Sequence, residues 1–145
     1  MNLATALTGI SGILVTPFDA DGNIAPDMQK SIVDRAIAAG VHILTANGNT
    51  GEFFSLTTDE AVAMVQAAAG HIGGRVPLVA GVGRSIRDAC RLAEASATAG
   101  ASALMIHQPP DPFVAPQGVL AYLREVQAAG GGLPLIVYLR NDAIG

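Results

Sequence analysis

The sequence predicts an α/β protein built on a parallel sheet, and three observations carry that prediction. Five short apolar runs, near Ile13, Ile43, Leu78, Ala103 and Leu135, lie roughly 26 to 35 residues apart, the spacing of successive βαβ units. The runs are continuous rather than alternating, as expected of strands covered on both faces. Between them, four stretches repeat apolar residues at helical spacing and are bounded by capping residues and glycines.

The first strand runs through Ile13, Leu14 and Val15 and ends at Thr16 and Pro17. Asp19 to Asn23 is turn chemistry; Pro26 then presets the first helical position, and Met28, Ile32, Val33, Ala36 and Ile37 form a stripe that stops at Gly40. Ile43 and Leu44 make the second strand. Thr57 and Glu60 form a capping box, after which Ala61, Met64, Val65 and Ala68 run as a helix to a stop near Gly70. Pro77 introduces the third strand, Leu78 to Ala80, which breaks at Gly81, Val82 and Gly83. Ser85 and Asp88 cap a helix through Ile86, Ala89, Cys90, Ala93 and Ala97 to Gly100. The fourth strand, Ala103 to Ile106, ends at His107, and the loop QPPDPFVAP leads to a helix bearing Val119, Leu120, Leu123 and Val126, closed by Gly130 to Gly132. Pro134 opens the fifth strand, Leu135 to Tyr138.

At 145 residues the chain is long enough for one domain with a sizeable core. A net charge of −4, with no basic run and no interleaved aromatics, argues against a nucleic-acid surface. The single cysteine, Cys90, cannot form an intramolecular disulfide and reads as a buried, inert thiol in a reducing compartment. With neither a signal-peptide pattern nor an apolar run of the roughly 18 residues a membrane span needs, the expectation is a cytoplasmic protein with no membrane partner.

Two architectures fit this pattern, an open doubly wound sheet and part of an eight-stranded barrel. Gly81 and Gly83 make a G-x-G, but Ile86 stands where a dinucleotide fingerprint needs its third glycine. Polar residues gather instead at strand C-termini, where barrel enzymes place their chemistry: Thr16, Asn49 and Thr50, Arg84 and Ser85, His107, and Tyr138 with Arg140. Among these, Asn47, Gly48, Asn49, Thr50 and Gly51 form either a plain turn or a backbone cradle for a carboxylate, since glycine permits both a sharp bend and a close approach.

Taken in order, GILVTPFDADGNI, GNTGEFFSLT, VPLVAGVG, ALMI and LIVY resemble the superfamily of dihydrodipicolinate synthase and N-acetylneuraminate lyase, Schiff-base aldolases and dehydratases that are (β/α)8 barrels. Within it, GEFFSLT and YLRNDA are most similar to the 5-dehydro-4-deoxyglucarate dehydratase branch. The resemblance implies the N-terminal portion of such a barrel, five strands and four helices of one incomplete domain over residues 1–145. It implies a lyase acting on a 2-keto acid, with no cofactor and no metal, homo-oligomeric at full length. GNTGE is similar to the G-T-T-G-E that binds the keto-acid carboxylate, so Gly48, Asn49, Thr50 and Gly51 are expected to hold that group. Tyr138 is expected to relay protons with Thr50 as its hydrogen-bond neighbour, and Arg140 and Asn141 to meet the distal part of the substrate.

The departures from the family pattern narrow the reading. Asn49 replaces a threonine hydroxyl, HQPPDP replaces the T-P-Y-Y-like segment of the synthases, and Ala143 lies where they carry an arginine. These favour a sugar-acid dehydratase or aldolase over dihydrodipicolinate synthase itself; a dehydratase is the first expectation and a pyruvate-dependent aldolase or synthase the alternative. The imine-forming lysine belongs to strand 6, whereas the only lysine here, Lys30, lies on the surface of the first helix. The 145 residues alone are therefore expected to be inactive; a non-catalytic keto-acid-binding remnant is the other reading.

Smaller signals are read as structural. His107 with Asp111 makes too sparse a set for a metal and is taken as a loop histidine; Arg84, Arg87 and Arg91, at helical spacing, could clamp a phosphate but are taken as a solvated helix face, with Arg84 set apart by its place at a strand end. His42 and His71 are structural, and Glu52 is expected to bond backbone amides within its motif.

Overall fold

The computed structural model describes residues 3–109 and 115–139. Five α-helices and five strands follow one another: α1 Leu3–Leu7, β1 Ser11–Ile13, α2 Gln29–Ala38, β2 Ile43–Ala46, α3 Thr58–Ile72, β3 Leu78–Val82, α4 Ile86–Thr98, β4 Ala103–His107, α5 Pro116–Ala129 and β5 Leu135–Tyr138. Every pairing is parallel, and the spatial order is β1-β2-β3-β4-β5. A doubly wound sheet reverses its strand order at a switch point, whereas a barrel adds strands in sequence. The uninterrupted order therefore decides for the first five strands of a barrel.

The sheet separates two apolar clusters because successive side chains point to opposite faces. Leu44, Ala46, Leu78, Ala80, Val82, Leu104 and Ile106 pack outward against Val33, Met64, Val65, Leu92 and Val126 of the helices. Ile43, Val79, Ala103 and Met105 face the other way, where Leu3 and Ala6 of α1 pack on them together with Ile136. Helix α1, which the periodicity did not announce, thus lies on the inner face of the sheet. Five residues are too few for a helical repeat to be legible, and this helix depends on the sheet for its burial.

Local chemistry explains the helix limits. Thr57 and Glu60 form the expected capping box, with Glu60 N–H bonding Thr57 Oγ1 at 3.2 Å and Thr57 N–H bonding the Glu60 carboxylate at 2.7 Å. Helix α3 continues past Gly70 to Ile72 and stops at Gly73, which adopts the left-handed conformation of a C-terminal cap. Before α2, Pro26–Met28 form a 3₁₀ turn, which advances side chains by a larger angle than an α-helix does. Consequently Met28, expected on the apolar stripe, is 59% exposed. The buried side chain is Gln29, whose Nε2 donates to the Val15 carbonyl at 3.1 Å.

The edge strands depart from the expected continuous burial. Ile13, Leu14 and Val15 are 40%, 2% and 41% exposed, an alternation arising because only one face at this edge is covered. Strand β1 also lies earlier than expected, at Ser11–Ile13, although Leu14 N–H still reaches the Thr45 carbonyl at 2.9 Å. In β5, Val137 and Tyr138 are exposed, and on the helical layer Ile86 and Leu120 are exposed as well. Unpaired edges of a parallel sheet template further pairing. The 145-residue chain is expected to self-associate in sedimentation velocity, and Val137→Lys to reduce that association; a monodisperse monomer of the parent chain would contradict this.

Candidate active site

Past its last paired residue, Ala46, strand β2 turns through Asn47, which takes the left-handed conformation at φ 56°. Asparagine accepts that conformation more readily than most residues because its short amide can bond locally. Here the side chain is buried and its Nδ2 donates to the Ala61 carbonyl of α3 at 2.9 Å. The Asn47 carbonyl lies 2.9 Å from His107 Nε2 at the end of β4. A Cβ on Gly81 would stand only 2.0 Å from that carbonyl oxygen, which explains the first glycine of the G-x-G without any nucleotide.

Gly48 is extended and faces β1, where a Cβ would meet Ile13 Cγ2 at 2.8 Å. Asn49–Gly51 then form one 3₁₀ turn, closed by Gly51 N–H to the Gly48 carbonyl and Glu52 N–H to the Asn49 carbonyl, both 3.0 Å. Thr16 Oγ1 donates to the Gly51 carbonyl at 2.7 Å and ties the turn to the end of β1. The N–H groups of Asn49 and Thr50, at the exposed start of the turn, have no partner among the described residues. Two such donors beside small polar side chains can receive an anion's oxygens.

Arg84 holds the neighbouring segment, Phe53 to Thr58. In the left-handed conformation at φ 75°, it donates to the carbonyls of Phe53 and of Leu56, the latter at 2.6 Å, and to Thr58 Oγ1 at 3.0 Å. Its guanidinium lies 4.5 Å from the centre of the Phe53 ring. Thr58 Oγ1 donates in turn to Asp88 at 3.0 Å, and Ser85 Oγ donates to the other oxygen of that carboxylate at 2.6 Å. These hydroxyls hold the Asp88 carboxyl below its usual range. Arg84 therefore braces a loop rather than joining a solvated helix face. That description suits exposed Arg87, and Arg91, whose ion pair with Asp59 at 2.5 Å is exposed on both sides.

His107 is not a loop residue but the buried last residue of β4, 2% exposed. Its ring stacks on Phe53 with centroids 4.4 Å apart and planes 9° from parallel, and it meets Phe54 edge-on at 5.3 Å. Its partner across the ladder is Tyr138, whose ring lies edge-on at 6.0 Å. Burial, above all, pushes the imidazole below its ordinary range; the Asn47 hydrogen bond opposes this shift and the Arg84 charge adds to it. No three His, Cys, Asp or Glu side chains converge as a metal site among the described residues, and Asp111 lies outside them.

The structure thus brings Gly48, Asn49, Thr50 and Gly51 to one strand mouth, linked to exposed Tyr138 through His107. It does not bring the Thr50 hydroxyl into the expected hydrogen bond with Tyr138 among the described residues. Arg140 and Asn141 lie outside the described residues. Glu52 departs from expectation: it is exposed, left-handed at φ 56°, and its carboxylate bonds no backbone amide among the described residues. Its role is conformational, linking the turn at Asn49–Gly51 to a second one at Phe53–Ser55. Lys30 is on the α2 surface, paired with Asp34 at 2.6 Å. Sequence reading missed Asn47 and Thr16 as supports of the turn and Arg84 as the brace of the Phe53–Thr58 segment that follows it. Only Asn47, an asparagine preceding a glycine, carried a local signal for a left-handed residue.

The sequence pattern of the Dihydrodipicolinate synthetase family matches residues 6–145. The chain belongs to this family. It is 39% identical over 145 residues to a probable 5-dehydro-4-deoxyglucarate dehydratase of Streptomyces coelicolor, covering 98% of this chain and 46% of the relative. The dihydrodipicolinate synthase of Bacillus clausii superposes with a TM-score of 0.85 at 38% identity, over 99% of this chain and 50% of that structure. YagE, a prophage protein of the dihydrodipicolinic acid synthase family from E. coli K12 solved with pyruvate, superposes with a TM-score of 0.87 at 29% identity, over 93% of this chain and 45% of that one. The chain thus spans about half the length of these family members.

Two measurements test this geometry. Gly81→Ala forces a Cβ into the Asn47 carbonyl and is expected to destabilise the fold by about 1–3 kcal/mol in urea titrations. The His107 ring binds its proton less readily folded than unfolded, so the unfolded chain takes up the proton first as the pH falls. The stabilising contribution is complete above the unfolded value of 6.5 and is lost as the pH drops towards the lower folded value. Stability is expected to decline as the pH falls below about 6.5, and more shallowly in His107→Phe.

Proposed function

We propose that this chain is the first half of a class I lyase barrel that acts on a 2-keto sugar acid through a Schiff base. The observation that carries the reading is the turn at the mouth of β2. Its Asn49 and Thr50 amides are unpartnered among the described residues, and it is linked through His107 to the phenol of Tyr138. In this reading the Gly48–Gly51 turn receives the substrate carboxylate, with the exposed Asn49 and Thr50 side chains beside it. The keto carbon becomes an imine on a lysine from a later strand, which these 145 residues do not contain at any strand end. Tyr138 transfers protons during imine formation and elimination, a task suited to a phenol because it gives and takes a proton beside a cationic imine. Thr50 serves the carboxylate end of the site, and Arg140 and Asn141 meet the distal end of the substrate.

Dehydration is favoured by the similarity to the Streptomyces dehydratase and by HQPPDP in place of the T-P-Y-Y-like segment of the synthases. A pyruvate-dependent aldolase or synthase is the second reading, supported by the likeness to the Bacillus clausii synthase and to YagE solved with pyruvate. The full-length protein is proposed to be a homo-oligomer, and the 145-residue chain alone to be without turnover.

Borohydride trapping of the full-length protein with pyruvate and with 5-dehydro-4-deoxyglucarate tests the assignment. A mass adduct on a lysine beyond residue 145 is expected, and the ratio of the two adducts separates the dehydratase from the aldolase. The absence of an adduct with either acid would sink the Schiff-base reading.

A further inference from the structure

We infer that His107 is a positioning residue for the carboxylate turn, acting through the Asn47 carbonyl. The inference rests on the proposed function for its catalytic readout, but its structural basis is independent of the reaction. A carbonyl oxygen can only accept a hydrogen bond, so at 2.9 Å from it His107 Nε2 must be the nitrogen that carries the proton. The bond is buried at both ends, where a polar group without a partner is costly.

The histidine itself has little freedom. Phe53 covers one ring face at 4.4 Å, Phe54 meets the ring edge-on, and Gly83 lies so close that a Cβ there would come within 3.0 Å of His107 Cβ. Phe53 is fixed in turn by Arg84, which bonds its carbonyl and covers its ring. On the receiving side, Asn47 immediately precedes Gly48, and its peptide orientation sets the direction in which the Asn49 and Thr50 amides point. Its side chain holds α3 and its carbonyl has no room to turn towards β3, because Gly81 already lies against it. A donor from β4 completes the set. Since the ladder partner of His107 is Tyr138, one side chain sets the turn of β2 against the phenol of β5. An aliphatic residue at 107 could fill the space and pack on Phe53, but could not hold the carbonyl.

Two substitutions separate these properties in the full-length protein. His107→Phe keeps an aromatic ring on Phe53 and removes the donor. His107→Gln loses the ring and places an amide nitrogen at about the reach of Nε2. The Phe variant is expected to raise KM for the keto acid roughly tenfold with kcat within about threefold, because ligand and transition state share the carboxylate contact. The Gln variant is expected to restore KM to within about threefold of the parent. Parent-like KM in the Phe variant, equal impairment of Phe and Gln, or a fall in kcat without a change in KM would each overturn the inference. ¹⁵N-amide spectra recorded without substrate give a second readout: Gly48–Gly51 resonances should move in His107→Phe and stay near the parent positions in His107→Gln. If the Phe variant does not fold, His107→Asn, one methylene too short to reach Asn47, takes its place in both measurements. A parent protein that traps no keto acid would sink the proposed function while leaving the amide spectra to decide the role of His107.

Discussion

The peptide after β2 is held from three directions at once, and the candidate site is arranged around that restraint. Asn47 places its side chain on α3, its carbonyl on the His107 imidazole and its backbone against Gly81 of β3. Its left-handed conformation costs about 1 kcal/mol or more, a strain that persists only where surrounding contacts over-determine it. Three neighbouring elements supply those contacts. Gly48 to Gly51 follow directly on this fixed peptide, and the first two amides of the turn have no partner among the described residues.

A second set of contacts steadies the chain between this turn and α3. Arg84 spans the Phe53–Thr58 segment with three hydrogen bonds, and the hydroxyls of Thr58 and Ser85 share the Asp88 carboxylate. Arg84, Phe53, His107 and Tyr138 meet in succession, so that a cation, a ring, an imidazole and a phenol form one continuous column. Hydrogen bonds within this partly buried column count for more than their exposed counterparts, because water competes less for their partners. Exposed pairs such as Arg91 with Asp59 add little by comparison. Stability and site geometry therefore overlap at the C-terminal ends of the strands, while the opposite end of the inner face is filled by Leu3 and Ala6 of α1.

Much of this architecture is legible in the sequence. The capping box at Thr57 and Glu60 and the helix stop at Gly40 rest on chemistry confined to a few adjacent residues, and they appear where local rules put them. The site is legible in outline for the same reason, since GNTGE is a short contiguous segment. Errors arise where an outcome depends on distant residues. Met28 and Gln29 exchange burial because a 3₁₀ turn rotates the stripe, Ile13 and Val15 are exposed because β1 is an edge, and Glu52 is exposed because its segment turns outward between two 3₁₀ turns. The contacts of His107 and Arg84 are not legible, although their places at strand ends are, because nothing adjacent to them in the chain reveals what they touch.

By itself, the sequence determined the alternation of strands and helices, the parallel class of the sheet, the family and the segment that forms the turn. Each is encoded in periodicity, caps or contiguous motifs, which act over a few residues. Only the tertiary structure decided that the strands add in sequence as a barrel's do, and that Asn47, Gly81 and His107 meet. His107 and Asn47 are 60 residues apart in the chain and 2.9 Å apart between their bonded atoms. Such a contact exists only once β2, β3 and β4 are in register, and no local propensity specifies that register.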